Sequence, residues 1–279
     1  MKAVVNKIIT FSTVDGPGNR TVIFLQGCNL DCKYCHNPET IGLCVHCGNC
    51  VKKCPNGALS IKNNKVNYDI NRCLQCDTCI HVCQNGSSPK TQMMSSQEVF
   101  DQIRKQIPFI RGITVSGGEC TLYPDFLKEL FTLCKEAGLT TLIDSNGTYD
   151  FKKDVELLNV TDGIMLDIKA FDSKQHEKVT GSNNNIILEN VAFLAKSGKL
   201  YEVRTVVVTE LFDAVETFRQ VAKMLKPYLA KRDIRYKIIA YRPTGVREQY
   251  SHYEIPKEEY LESLAVILRE ESFENIILL

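Results

Sequence analysis

Eleven of this chain's thirteen cysteines fall between positions 28 and 83, most of them two residues apart, and no other feature limits what it can fold into so strongly. Gaps of two or three residues let neighbouring thiolates converge on one inorganic centre, whereas disulfide frameworks belong to small secreted domains. A chain of 279 residues that is 44% hydrophobic can bury a sizeable core without covalent staples. The clustered cysteines are therefore read as metal ligands. Cys120 and Cys134 lie apart and read as ordinary thiols, in a strand-end loop and a helix.

Apolar runs bounded by turn residues predict strands near residues 20–26, 112–116, 139–144, 162–167, 202–208 and 235–241. Helical spacing fills the intervals, as from Tyr123 to Ala137 and where Val215, Phe218, Ala222, Leu225 and Leu229 share a face. Alternating strand and helix predicts an α/β fold with a parallel sheet and right-handed crossovers. Six such units predict an open, partial (β/α)6 barrel whose chemistry gathers on loops leaving the C-terminal ends of the strands. One stretch breaks the pattern. CVHCGNCVKKCPNGA from Cys44 is echoed 29 residues later by CLQCDTCIHVCQNGS from Cys73. Residues 41–90 are expected to form an inserted domain, with the barrel built from 1–40 and 91–279. So few apolar residues in the insert leave metal to supply much of its stability.

The balance of 34 basic against 33 acidic side chains gives no reason to expect nucleic acid or an anionic membrane as partner. No stretch approaches the roughly 20 apolar residues of a membrane span, and the N-terminus has no signal-like apolar core. The chain reads as a cytoplasmic protein.

Three motifs carry chemistry. GCNLDCKYCHNP places Cys28, Cys32 and Cys35 directly after a strand, and three thiolates on one loop can hold three irons of a [4Fe–4S] cube with the fourth left open. A structural zinc would want four ligands, and His36, one residue on, cannot readily share that tetrahedron. In the insert, C-x2-C-x2-C-x3-C occurs twice and matches the two-cluster ferredoxin run, in which the fourth cysteine crosses over. That assigns Cys44, Cys47, Cys50 and Cys83 to one cluster and Cys54, Cys73, Cys76 and Cys79 to the other; eight zinc-bound cysteines are the alternative. SGGE, Ser116 to Glu119, ends a strand where two glycines let backbone approach a ligand, or simply make a turn. DSNG (144–147), MLDIK (165–169) and VRT (203–205) end further strands with charges that would suit a zwitterion if they converge. Taken singly, each is an ordinary surface charge.

The cysteine loop followed by SGGE resembles the radical S-adenosylmethionine (SAM) superfamily. The resemblance implies that the open iron binds the amino and carboxylate groups of SAM, which is reductively cleaved to methionine and a 5′-deoxyadenosyl radical. It also implies that Tyr34 lies beside the adenine, and that Ser116, Gly117, Gly118 and Glu119 form the methionine-binding turn, with Cys120 where a small residue or proline is usual.

With DGPGNR (Asp15 to Arg20) before the first predicted strand, the order of motifs from about residue 7 to 245 is similar to that of the glycyl radical enzyme activating enzymes. That similarity implies that Asp144, Asp167, Lys169 and Arg204 contact SAM or a monovalent cation beside it, with Ser145 and Met165 as further ligands. Asp15 would lie near the incoming peptide and Asn37 by the cluster. Arg242 stands where pyruvate formate-lyase activase has a histidine, and is the candidate for the ribose contact.

The implied cofactors are three [4Fe–4S] clusters, SAM and a monovalent cation. The implied partners are a glycyl radical enzyme and a low-potential electron donor such as flavodoxin or ferredoxin. The nearest branch looks like one whose partner has no assigned reaction. No side chain need act as acid or base. Two other readings compete: a radical SAM enzyme acting on a small molecule or peptide, and an electron carrier using the insert alone, which would leave the triad, SGGE and LDIK without a purpose.

Overall fold

A computed structural model describes residues 1–279. Strands β1 (Lys2–Ser12) and β2 (Arg20–Leu25) form an antiparallel pair, and the insert follows with the hairpin β3 (Leu59–Lys62) and β4 (Lys65–Tyr68) and the one-turn helix α1 (Thr78–His81). Strand β5 (Gln92–Ser95) leads into α2 (Ser96–Ile103), β6 (Gly112–Gly117), α3 (Pro124–Glu136), β7 (Thr140–Ser145), α4 (Val155–Val160) and β8 (Gly163–Asp167). The remainder is α5 (Ser173–Thr180), α6 (Asn185–Ser197), β9 (Leu200–Val207), α7 (Ala214–Leu229), β10 (Arg235–Ala240), α8 (Glu258–Glu270) and β11 (Ile276–Leu278).

Nine strands make one open sheet in the order β11-β10-β9-β8-β7-β6-β2-β1-β5. From β2 to β11 the pairing is parallel throughout. Strands β2 and β6 to β10 are the six expected from the sequence, each within two residues of its expected ends. Strands β1, β5 and β11 extend the sheet at its two edges and were not anticipated.

The helices form where caps and apolar stripes coincide. Helix α7 is capped by the Asp213 carboxylate accepting from the Glu216 amide, and it buries Phe218, Val221, Ala222 and Leu225 against the sheet. Helix α3 starts on Pro124, whose missing N–H costs nothing there, and buries Phe126, Leu127, Leu130, Phe131 and Cys134. These faces join the strands in a core of 51 buried residues.

Parallel register lays polar side chains across the concave face in rows. Asp144 pairs with Met165, Met165 with Glu202, and Glu202 with Arg235. One pleat on, Asp167 pairs with Arg204 and Arg204 with Lys237. Since alternate residues of a strand share a face, both rows point into the same interior.

That interior is closed from the N-terminal end of the parallel strands by the β1–β2 connection, which holds Asp15. Its backbone turns inward: Thr114 Oγ1 donates to the Asp15 carbonyl at 2.6 Å and Lys237 Nζ to the Val14 carbonyl at 3.3 Å. Gly16, at φ +130°, is required, because a Cβ there would lie 2.7 Å from Leu142 Cδ1. Unlike the other motifs, DGPGNR therefore sits at the opposite end from the cysteine loop.

The insert repeats in space as it does in sequence. His46 and Gln75 both have left-handed backbone, as do Gly48 and Asp77, and again Gly57 and Gly86, each pair 29 positions apart. Its own core is only Cys50, Leu59 and Cys79 with a few half-buried neighbours. At its root, Gln26 Nε2 donates to the carbonyls of Glu39 and Gly42, both at 2.6 Å, and the Gly42 amide bonds Gly86.

Candidate active site

The loops leaving β2, β6, β7 and β8 line an open cavity of about 180 Å³. Its wall contains Cys28, Cys32, Cys35 and Tyr34 from the cysteine loop, and Ser116, Gly117 and Gly118 from the turn after β6. Asp144, Ser145 and Asn146 after β7, and Asp167 and Lys169 after β8, complete the polar part. Asn37, expected near the cluster, also lies on this wall. Residues up to 141 positions apart thus meet because four successive parallel strands end side by side.

The cysteine loop is held by backbone bonds from outside it. The Cys28 amide donates to Ile41, Asp31 to Thr180 and Lys33 to Val179. Arg247 reaches across from the chain after β10, pairing with Asp31 at 2.7 Å and donating to the Cys32 carbonyl at 2.9 Å. The Leu30 amide lies 3.5 Å and Asn146 Nδ2 3.8 Å from Cys28 Sγ, donors suited to a sulfur carrying negative charge.

The twin glycines serve packing first. A Cβ on Gly117 would come within 2.2 Å of the Leu25 carbonyl oxygen, and one on Gly118 within 2.2 Å of that of Gly27, so only glycine lets this turn seat against the exit of β2. Glu119 does not face the cavity. Its buried carboxylate accepts from the Thr121 amide and hydroxyl, the Ser145 hydroxyl and the Asn146 amide, riveting the turns after β6 and β7 together. The SGGE acid is thereby a positioning residue.

Charge is concentrated behind the wall. Arg204 pairs with Asp144 at 2.9 Å, and Asp144 also accepts from the Ser116 hydroxyl at 2.8 Å. Arg204 is bound on its other side by Glu202, which has no exposed side-chain surface and also pairs with Arg235 and, at 3.3 Å, with Lys237. Burial raises the Glu202 carboxyl, but Arg204, Lys237 and Arg235 outweigh it and hold it below the usual carboxylate range. Lys169 pairs with Asp167 at 2.8 Å and stands 5.8 Å from the centre of the Tyr34 ring.

Other expected contacts fall elsewhere. Arg204 lies behind Asp144 rather than on the cavity wall, because both its faces are taken by carboxylates. Asp15 is below the cavity, accepting from Ser12 at 2.5 Å. Arg242 follows the end of β10 with its side chain exposed, and only its carbonyl turns inward, to His36 Nε2 at 3.0 Å. It is His36 that lines the cavity. Sequence reasoning missed Asn146, inside DSNG, although its place two residues past Asp144 was a signal. It also missed Arg247 and Glu202.

In the insert, the two predicted quartets are each gathered around one cavity. Cys44, Cys47, Cys50 and Cys83 line one, and Cys54, Cys73, Cys76 and Cys79 the other, each of about 20 Å³. No three Cys, His, Asp or Glu side chains converge tightly enough to hold a single ion. The Gln75 and Ala58 amides lie 3.3 and 3.2 Å from Cys73 and Cys54 Sγ, donors suited to sulfurs carrying negative charge.

Residues 22–225 match the Radical SAM superfamily model. A Haemophilus influenzae protein provisionally named a glycyl-radical enzyme activating enzyme is 32% identical over 98% of this chain and 95% of its own. The pyruvate formate-lyase-activating enzyme of Streptococcus mutans is 32% identical over 87% of this chain and 78% of its own. Among solved structures, QueE from Escherichia coli superposes with a TM-score of 0.56 at 15% identity, covering 100% of this chain and 94% of that one, a likeness of fold.

The chain belongs to the radical SAM superfamily. Within it, the chain belongs to the activating enzymes of glycyl radical enzymes, which cleave SAM reductively and install a glycyl radical on a partner. A [4Fe–4S] cluster and SAM are the cofactors this family implies, and three thiols lining one open, partly polar cavity fit them.

The thiols also predict how the cluster loads. Burial pushes Cys28 and Cys32 up to about 11, with Lys169 pulling Cys32 the other way. Ligation needs thiolate, so protons must leave on loading. The rate of iron–sulfide incorporation into the metal-free protein is expected to climb steeply from pH 7 to 9, by up to about tenfold per pH unit while the thiols remain mostly protonated. Growth of the cluster's visible absorbance measures it, and a flat profile would show the thiols already ionised.

Proposed function

We propose that Cys28, Cys32 and Cys35 hold the site cluster, that SAM lies in the same cavity against Ser116, Gly117, Gly118, Ser145, Asp144, Asp167 and Lys169, and that a glycine-bearing loop of the partner enzyme comes in beneath it, near Asp15. The observation that carries this reading is one cavity of about 180 Å³ lined together by the three thiols, the glycine turn and the lumen charges. When bound, the cluster supplies the electron that cleaves SAM, and the 5′-deoxyadenosyl radical released takes a hydrogen atom from the partner's glycine.

The protein's own work is placement. Lys169 and the two aspartates offer a zwitterionic ligand both signs of charge, and Asp144 and Asp167 together would accept a monovalent cation. Arg204 acts through Asp144, fixing its carboxylate. Tyr34, buried with its hydroxyl unpartnered, presents a flat apolar ring and one free donor to an adenine. The β1–β2 loop below and the cysteine loop above exclude water from a reactive radical.

The insert's eight cysteines hold two further [4Fe–4S] clusters with no open iron, and electron transfer is their task. A low-potential donor supplies the electrons. The partner's own substrate is set by that enzyme and not by this chain.

The test is anaerobic. Reduced, iron-loaded protein mixed with SAM and a candidate glycyl radical enzyme should give 5′-deoxyadenosine together with the electron paramagnetic resonance doublet of a glycyl radical. Deoxyadenosine without a doublet from any candidate partner would move the reading to a small-molecule or peptide substrate.

A further inference from the structure

The insert differs from the rest of the molecule in surface character. Of the chain's 34 basic and 33 acidic side chains, only six and two lie in residues 41–90, so the insert is basic on a body that is slightly acidic. Its two acids are occupied: Asp77 pairs with Lys90 at 2.6 Å and Asp69 caps the turn at Asn71. The other five cations have no carboxylate partner.

Three of these cations, Lys52, Lys53 and Arg72, are exposed. Lys52 and Lys53 immediately precede Cys54, and Arg72 immediately precedes Cys73. The Arg72 guanidinium lies against the turn at Gly57, where a Cβ would meet it at 2.8 Å, and the Arg72 carbonyl accepts from Asn56. Beside them Leu74, 63% exposed, forms part of the wall of the Cys54, Cys73, Cys76 and Cys79 cavity, and Cys76 itself is exposed. A large apolar side chain left in water at the mouth of a cofactor site, with unpaired exposed cations next to two of that site's cysteines in the chain, is the pattern of a transient docking face.

The other quartet points toward the active site. Cys44 is three residues past Ile41, whose carbonyl accepts from the Cys28 amide at 2.9 Å, and Cys83 is three residues before Gly86, which bonds Gly42. A short stretch of bonded backbone thus joins this quartet to the cysteine loop, and no such link joins the first quartet to it.

We propose that Lys52, Lys53, Arg72 and Leu74 form the docking site for an acidic, low-potential one-electron carrier protein, and that electrons enter at the Cys54/Cys73/Cys76/Cys79 cluster and leave through the Cys44/Cys47/Cys50/Cys83 cluster. This rests on the activase reading above and gives it a direction. In each transfer the carrier loses one electron and the entry cluster falls from its 2+ to its 1+ state. No bond is made or broken and no proton has to cross.

The experiment uses the fully loaded, anaerobic protein and an acidic flavodoxin in its fully reduced form as the probe. Its readouts are the stopped-flow rate of cluster bleaching and the affinity of the oxidised flavodoxin, each against salt concentration. In the triple variant Lys52→Glu, Lys53→Glu, Arg72→Glu, reduction is expected to slow at least about tenfold at low salt and to lose most of its salt dependence. Lys196→Glu with Lys223→Glu, on barrel helices, is the control expected to behave as wild type. Reduction by dithionite should be the same in all three proteins, which separates docking from cluster assembly. Equal slowing in the barrel control, or an unchanged rate and salt slope in the triple variant, would overturn the proposal. Failure of dithionite-reduced wild type to cleave SAM would overturn the activase reading instead, while the binding data would still decide the docking site.

Discussion

Cys32→Ala is expected to reduce SAM cleavage to background, a fall of at least about 10⁶-fold, because the cofactor and not a side chain carries the reaction. The loop should survive the change. It is positioned through backbone, with the Cys32 carbonyl receiving the Cys35 amide and the Arg247 guanidinium, and neither bond involves the thiol. Iron content should fall from about twelve to about eight atoms per chain, as the insert's quartets are untouched. Measured together, deoxyadenosine yield and iron stoichiometry separate loss of one cluster from general misfolding. Cleavage persisting at a tenth of the wild-type rate would show that Cys32 does not ligate the site cluster.

Glu202→Gln is the second large effect, in a residue that touches no part of the cavity. The substitution leaves buried Arg204 and Lys237 and half-buried Arg235 around a neutral amide. Removing one partner from a buried ionic group typically costs about 3–5 kcal/mol, which for a chain this size lowers the unfolding midpoint by roughly 10 °C. Arg204, with Asp144 as its remaining carboxylate, should stay paired with it, so the loss falls on stability rather than on SAM affinity. The acid arm of stability should change with it. A carboxyl held below its ordinary value contributes stability that is present above the unfolded value near about 4.3 and is lost as pH falls through the folded value. The wild type should therefore lose stability below about pH 4, and the variant should lack that part of the slope. A variant as stable as wild type would show the network to be dispensable.

Much of this architecture could be read from the residues because the parallel strands are buried on both faces and appear as continuous apolar runs between turn signals. The two quartets assigned from the match to the ferredoxin run each line one cavity. Strand β1 was not, since its pairing with β2 slips register between Val5 and Lys7 and again between Ile9 and Ser12, which breaks the alternation a strand would otherwise display. Three-residue β11 carries too little pattern to be separated from a chain end.

At the site, position along the strand foretold which residues reach the cavity, but not which of them face it. Glu119 and Arg204 are consumed by partners 26 to 60 positions away, and only the folded register reveals that competition. Glu202 and Arg204, two apart in one strand, had to share a face, so the ionic row was half visible. Its other half, Arg235 and Lys237, becomes a neighbour only through the pairing of β9 with β10.

The order of the sheet has a consequence for how the molecule ages. The insert has a core of three residues against the barrel's 51, and with the two clusters proposed for it, it would depend on them for order. In a cell short of iron it is the segment a protease meets first. Yet β1 and β2, the whole chain before the cut, lie between β5 and β6, clasped on both sides by strands from after it. A single nick would leave two polypeptides held as one body, with the radical site physically present and its wiring severed. Such a protein would look intact by size in native conditions while being unable to accept an electron from its carrier, and the injury would be hidden from any assay that supplies a small chemical reductant.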